Sequence, residues 1–448
     1  MPTNAANNSK PAMPRCCVFE FFANCLPPSR RPRLARGLTL ALGLAGSLGL
    51  QACQGTLPFQ RQTLIIYVVP PGSSTLTKVD IDNFWNPLVT AYKRLHQGVH
   101  LNFNFVVFES QRLKQELRRR NSRGLGPDLL VVNAATAIDL LNQGLISKLQ
   151  VPADVQNSLQ PWVLSRVRVK GGLAALPIAL EPQLSCYNRS RIPSPPATLD
   201  ELLQLAAKGK SIGLSVSPPN IWWTIGPLGA DQPLQALMET PVDRPMPIDG
   251  RGRARITTWL AWLRDAARQS HVNFFNNDEE LLTGLSNGQL DWTSCLSFNL
   301  PRLQAKMGAN LGVASLPQGP HGLASPNSLL RVVAFGVNSS PQQRKRALEL
   351  GLMQLNPLMQ RSLTLNSQQM LPVNRFAPAP VASSARIQAL VNAEEQFQRS
   401  SLFARAPLAV NRLDTVSPAV ENLLTQLVVD VIGPEQASER LIGILRHP

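Results

Sequence analysis

A chain of 448 residues exceeds the ~250–300 residues at which single hydrophobic cores stop growing, so it divides into two lobes of ordinary size. With 44% apolar against 16% charged residues it has ample surface to bury, which excludes a disordered chain. The formal charge of +16 does not make it a nucleic-acid protein, because the 38 basic and 27 acidic residues after Cys53 leave +11, and the densest run among them, Arg118–Arg120 with Arg123, closes a helix-like segment with no interleaved aromatics.

Near the start, Ser29–Arg36 is basic and Gly37–Leu50 is apolar and uncharged, a signal-peptide pattern shorter than the ~20 residues a membrane span needs. It ends in Leu50-Gln51-Ala52-Cys53, which resembles the bacterial lipobox and marks Cys53 for lipid attachment. Arg30-Arg31 with Leu34 also looks like a twin-arginine signal, although Arg33 stands where that pattern prefers an apolar residue, so the export route stays open. Residues 1–52 are therefore read as signal peptide and 53–61 as lipidated cysteine and linker. Cys16, Cys17 and Cys25 would leave with the leader. Cys186 and Cys295 then remain in an oxidising compartment, as a disulfide or as two buried thiols.

Thr63–Val69 reads as a buried strand, Pro70–Ser74 as a turn, and Val79–His96 has helical periodicity. Leu101–Phe108 alternates as a strand, Gln111–Arg120 is a polar helix, Pro127–Asn133 is a strand and Ala135–Gln143 an amphipathic helix. Strands alternating with helices predict a parallel, doubly wound α/β sheet, whose ligands sit beyond the carboxyl ends of the strands. Leu173–Asn188, extended and carrying two prolines, reads as a crossover strand. Thr198 with Glu201 has capping-box spacing and opens a helix over Thr198–Ala207. Helices follow at Arg255–Gln269 and Asp278–Leu285, strands at Asp291–Ser297, Leu311–Leu316 and Val332–Val337. The remaining helices are Gln343–Gln354, Asn356–Gln369, Ser384–Gln398, Pro418–Val431 and Pro434–Leu445.

Six segments, in order, resemble the extracellular solute-binding proteins of bacterial ABC importers, of the maltose-binding, family 1 sugar-binding type. Gly126–Ile146 looks like the family's proline-aspartate strand and following helix, Leu176–Asn188 like its first interlobe strand, and Pro195–Lys208 like the next helix. Gly288–Leu303 is similar to the segment where a strand gives way to a cleft aromatic, Leu311–Pro317 to the return strand, and Gly433–Leu445 to the closing helix. The resemblance implies a two-lobed type II periplasmic-binding-protein fold, each lobe a mostly parallel sheet flanked by helices. The lobes would be 62–182 with 313–374, and 183–312 with 375–448, joined by hinge strands. It implies a lipid-anchored, monomeric periplasmic protein that closes on a small solute, a carbohydrate or polyol-like compound, and delivers it to ABC permease subunits.

By the same resemblance Glu181 falls where a glutamate meets sugar hydroxyls, and a charged acceptor can hold two of them. Trp222 and Trp223 follow Pro218-Pro219 close to an aromatic cleft position, with one of the pair expected to pack inside, and Phe298 stands like the cleft tryptophan. Ser73, Ser74, Asn133 and Thr136 occupy strand-end loops that mark the cleft rim, where turn and helix-cap chemistry is the alternative. Two departures speak against maltodextrins: Ala135-Thr136 replaces the family's Asp-Arg pair, and Asn411–Pro418 has no aromatic, which leaves Arg412 to meet an anionic group.

Catalysis is not indicated. The five histidines lack metal spacing apart from His96 and His100, which straddle a helix end and a strand start, and there is no G-x-S-x-G elbow, P-loop or C-x-x-C. No cofactor or metal is expected. A surface-anchored docking protein using the same fold is the alternative function, and a glycoside hydrolase would need a second carboxylate facing Glu181.

Overall fold

The computed structural model describes residues 62–70, 78–97, 101–108, 110–241, 243–401, 404 and 407–446. Cys53, Ser73 and Ser74 lie outside the described residues, as does the side chain of Arg412. Arg61–Pro448 forms one compact unit.

Three parallel strands open it: β1 (Gln62–Val68), β2 (Leu101–Val107) and β3 (Leu129–Asn133), with β1 between the other two. The LLVV run of β3 is buried throughout, as expected for a parallel strand covered on both faces. Against the sheet lies the helix Lys78–Leu95, whose Trp85, Leu88 and Tyr92 recur at i, i+3 and i+7 and are all buried. Short β4 (Ile146–Ser147) and the hairpin β5 (Arg168–Val169) and β6 (Gly172–Leu173) follow, with Gly171 in the left-handed region at the hairpin turn.

The long strand β7 (Leu176–Asn188) is the spine of the molecule. After it come β8 (Ile212–Ser215), β9 (Val272–Phe275), β10 (Trp292–Leu296), β11 (Leu311–Ala314) and β12 (Ser328–Gly336). The strand order is β2-β1-β3-β12-β7-β10-β8-β9, with β11 also on β7 and β4 on β12. From Leu176 to Pro182, β7 pairs antiparallel with β12; from Gln183 to Asn188 it pairs antiparallel with β10 and β11. One strand thus belongs to two sheet regions, each ending in parallel pairs: β1 with β2 and β3 on one side, β8 with β9 and β10 on the other.

The buried apolar residues form two clusters. One gathers β1, β3 and β12 with their helices and continues past β7 to Leu281, Leu300 and Leu311. The other is built on Trp222, Trp223, Trp259 and Trp292, with the helices Gly250–Ala267, Pro407–Val428 and Pro434–Arg446 around them.

Two helices extend beyond their sequence-based limits. Asp249 accepts from Gly252 N–H and so starts the helix at Gly250 rather than Arg255. The helix expected from Pro418 begins at Pro407 and runs through that proline. Thr198 accepts from Glu201 N–H as expected, but the Glu201 carboxylate takes the N–H of Ala197 in place of that of Thr198. The acid of the proline-aspartate segment proves to be a clamp: buried Asp128 accepts from Ile65 N–H at 2.8 Å and from the Ser339 hydroxyl at 2.7 Å. Glycine is required at Gly336, because a Cβ there would run into the Pro127 carbonyl.

Candidate functional site

β1 and β3 run parallel, so their carboxyl ends, Val68 and Asn133, lie at one edge of the sheet, where a doubly wound fold places its ligand. Asn133 caps the helix Ala134–Asn142 by accepting from Thr136 N–H at 2.7 Å, so both rim residues take up the helix-cap chemistry that sequence allowed. Its partner in register across β12 is Arg331.

Arg331 organises the site. Its Nη2 donates to both carboxylate oxygens of Glu181, at 2.8 and 3.1 Å, Nε adds a third contact at 3.3 Å, and Nη1 donates to the Val69 carbonyl at 3.0 Å. Glu181 and Arg331 are 0% and 4% exposed, so the pair is held away from water. Burial pushes the Glu181 carboxyl above its ordinary value, against the pull of the Arg331 charge and hydrogen bonds. On the β10 side of β7, Phe298 brings its ring to 5.3 Å from the guanidinium carbon. Three of the residues singled out from sequence, Glu181, Phe298 and Asn133, are therefore assembled around a fourth that sequence reading passed over. The signal was present: Arg331 is the one charge in Ser328–Gly336, a run otherwise free of ionisable groups.

Trp222 and Trp223 are placed elsewhere. Both are 0% exposed in a helical turn, Trp222 against Trp259 at 5.8 Å and Trp223 against Trp292 at 5.9 Å, and neither ring faces solvent in this conformation. The neighbouring Thr224 hydroxyl accepts from the Trp259 indole at 2.8 Å, which fixes the cluster. Cys186 and Cys295 are joined as a disulfide between β7 and β10, with Cα atoms 5.9 Å apart.

Gln183, two residues beyond Glu181 on β7, locks both sides of the chain. Its amide oxygen accepts from Asn327 N–H at 3.0 Å and its amide nitrogen donates to the Asn220 carbonyl at 2.9 Å. Asn220 in turn donates to both oxygens of Asp278, at 2.6 and 2.7 Å. A second buried charge group holds the start of β12: the Ser328 hydroxyl donates to Glu394 at 2.6 Å, while Arg166 donates to the Ser328 carbonyl at 2.8 Å. Burial pushes the Glu394 carboxyl up to about 7 and the Arg166 guanidinium down to about 10. Ser328 and Arg331 have opposite parity along β12, so the two charge groups flank opposite faces of the strand.

Two surface recesses of roughly 270 and 290 Å³ lie away from these residues, one between Pro195–Ala197 and Leu316, the other between Val155 and Leu355. Chemistry and strand ends, not concavity, mark the candidate site. Among the described residues no His, Cys, Asp and Glu side chains gather in a group able to hold a metal ion.

Comparison with known proteins bears on the family and the fold. Residues 78–273 match the model of the bacterial extracellular solute-binding protein family. Binding proteins of Brucella abortus (strain 2308) and Brucella suis biovar 1 (strain 1330) are each 29% identical over 142 residues, 29% of this chain and 33% of theirs. The chain thus spans a third of the length of the curated relatives it matches. Among solved structures, the GacH receptor of Streptomyces glaucescens, determined unliganded and with acarbose and an acarbose homolog, superposes with a TM-score of 0.67. The match covers 87% of this chain and all of the receptor at 13% identity, and so concerns the fold alone. The resemblance to the extracellular solute-binding proteins is borne out over residues 78–273, and the α/β fold class read from sequence by the superposition.

Proposed function

We propose that this chain is a lipid-anchored periplasmic solute-binding protein that delivers a small carbohydrate or polyol-like compound to the permease subunits of an ABC importer. The observation that carries the reading is the junction at β7: Arg331 donates to the Val69 carbonyl at the end of β1, stands in register with Asn133, and has the Phe298 ring of the other sheet region against its guanidinium. A solute that touches both regions binds one relative orientation better than any other, and its binding free energy shifts the population toward that orientation. The solute-binding family region and a fold shared with a receptor crystallised with acarbose support the solute class. The Cys53 lipobox supports the anchor. The candidate contacts are Asn133, Thr136 and Phe298, with the Ser73–Ser74 loop, Glu181, Trp222, Trp223 and Arg412 as further candidates.

The test is a thermal-shift screen of the purified chain against sugars, sugar alcohols, compatible solutes and phosphorylated solutes. A bound solute at 100 times its Kd stabilises by about 2.7 kcal/mol, a shift that is easily read. The reading expects a saturable rise in Tm with a carbohydrate or polyol, and a flat response across the whole panel speaks against it.

One observation favours the surface-docking alternative: Glu181 is already satisfied by Arg331 and both tryptophans are packed inside. Under that alternative the protein binds no solute and is held at the membrane for contact with another macromolecule.

A further inference from the structure

Two of the groups that resemblance reserves for a solute, Glu181 and Phe298, are occupied by the protein itself. Glu181, the hydroxyl acceptor of the maltose-binding type, has both oxygens engaged by Arg331. Phe298, the aromatic platform, has its ring against the same guanidinium. A planar, donor-rich group beside an acceptor and an aromatic ring presents the chemistry that a sugar ring would present there. Arg331 also reaches the Val69 carbonyl at the end of β1, so one side chain spans β1, β12 and β7 and touches the β10 side through Phe298.

We infer that Arg331 acts as a built-in surrogate for the solute: its contact with Phe298 latches the two sheet regions together when no solute is bound. The inference rests on the two-region, solute-binding reading above. The contacts of Arg331 differ in how easily they part. The Glu181 pair lies within one sheet region, a diagonal pair on adjacent strands with Glu181 in register with Leu329, and parting it would strand a buried charge. The Phe298 contact has no hydrogen bond and joins Arg331 to the segment that follows β10. The latch therefore opens at Phe298, and an incoming solute exchanges with the guanidinium for that ring face while the Glu181 pair stays intact. Arg331 thereby sets specificity: it removes Glu181 from the set of hydroxyl acceptors and leaves the strand-end groups at Asn133 and Thr136 to meet the polar edge of the solute.

The test compares the wild-type protein with Phe298→Leu and Phe298→Ala by small-angle X-ray scattering in the absence of solute, with melting curves to confirm folding. Leucine keeps most of the bulk and removes the π face, so it guards against a folding defect in the alanine variant. A contact between a buried guanidinium and a partly buried aromatic ring is worth enough that its loss lowers the closed-to-open ratio by roughly tenfold. The expected result is a larger radius of gyration for both variants than for the wild type. Curves for folded Phe298→Leu that superpose on the wild type overturn the latch. Failure of the wild type to bind any solute in the thermal-shift screen counts against the solute-binding reading instead, and it is read without any variant.

Discussion

Removing the Glu181 carboxylate separates the two roles that this residue can have. Glu181→Ala leaves the Arg331 guanidinium, 4% exposed, with the Val69 carbonyl as its remaining hydrogen-bond acceptor among those described. Breaking a buried ion pair from one side costs about 3–5 kcal/mol, since the stranded charge loses its partner without regaining water. Spread over the compact unit Arg61–Pro448, with an unfolding entropy of roughly 2 cal/mol/K per residue, that cost lowers Tm by about 4–6 °C. Replacing both members with apolar residues of similar size, Glu181→Leu with Arg331→Met, removes the unpaired charge and restores most of the loss. Scanning calorimetry of the wild type, the single variant and the double variant reads all three values. A Glu181→Ala melt unchanged from the wild type, together with a large loss of solute affinity, would refute the argument and return Glu181 to direct contact with the solute.

Other outcomes follow from the same packing and electrostatics. Trp223→Ala empties a fully buried site beside Trp292 in the second core and costs about 3–5 kcal/mol, read as a lowered denaturant midpoint. The Glu394 carboxyl, with a folded value of about 7 against an ordinary 4.5, binds its proton more tightly in the native state. Its contribution to stability is fully present below pH ~4.5 and is lost as pH rises through ~7, a span worth on the order of 3 kcal/mol. Glu394→Gln accordingly flattens the stability profile between pH 5 and 8, and a profile as steep as the wild type's would contradict this. The disulfide closes a loop of sequence separation 109, so the Cys186→Ser, Cys295→Ser protein loses about 2–5 kcal/mol in chemical denaturation, and an unchanged midpoint would show that the bridge does not restrain the chain.

Much of the fold was legible because its signals are local. The apolar runs of β1 and β3, the Thr198–Glu201 cap and the period of the helix Ala385–Ser400 depend on neighbours in sequence. The helix Asp231–Glu239 and the four-residue strands β8 and β9 escaped notice, since strands so short carry little periodic signal and are fixed by pairing with partners distant in sequence. The site was legible only in part. Glu181, Phe298 and Asn133 could be picked out by position, but their common neighbour could not, because Arg331 lies 150 residues from Glu181 and meets it only through the β7–β12 register. The adjacent Trp222 and Trp223 show the converse limit: sequence offers two large aromatics at a cleft-like position, and three-dimensional packing places both inside.

Hydrogen–deuterium exchange with and without the solute found by screening tests most directly whether one small molecule is held between the two regions of the sheet. The account predicts simultaneous protection at the end of β3 with Asn133–Ala137 and at Leu296–Asn299 after β10. Protection confined to one of these segments, or to neither, with the solute demonstrably bound, would contradict it.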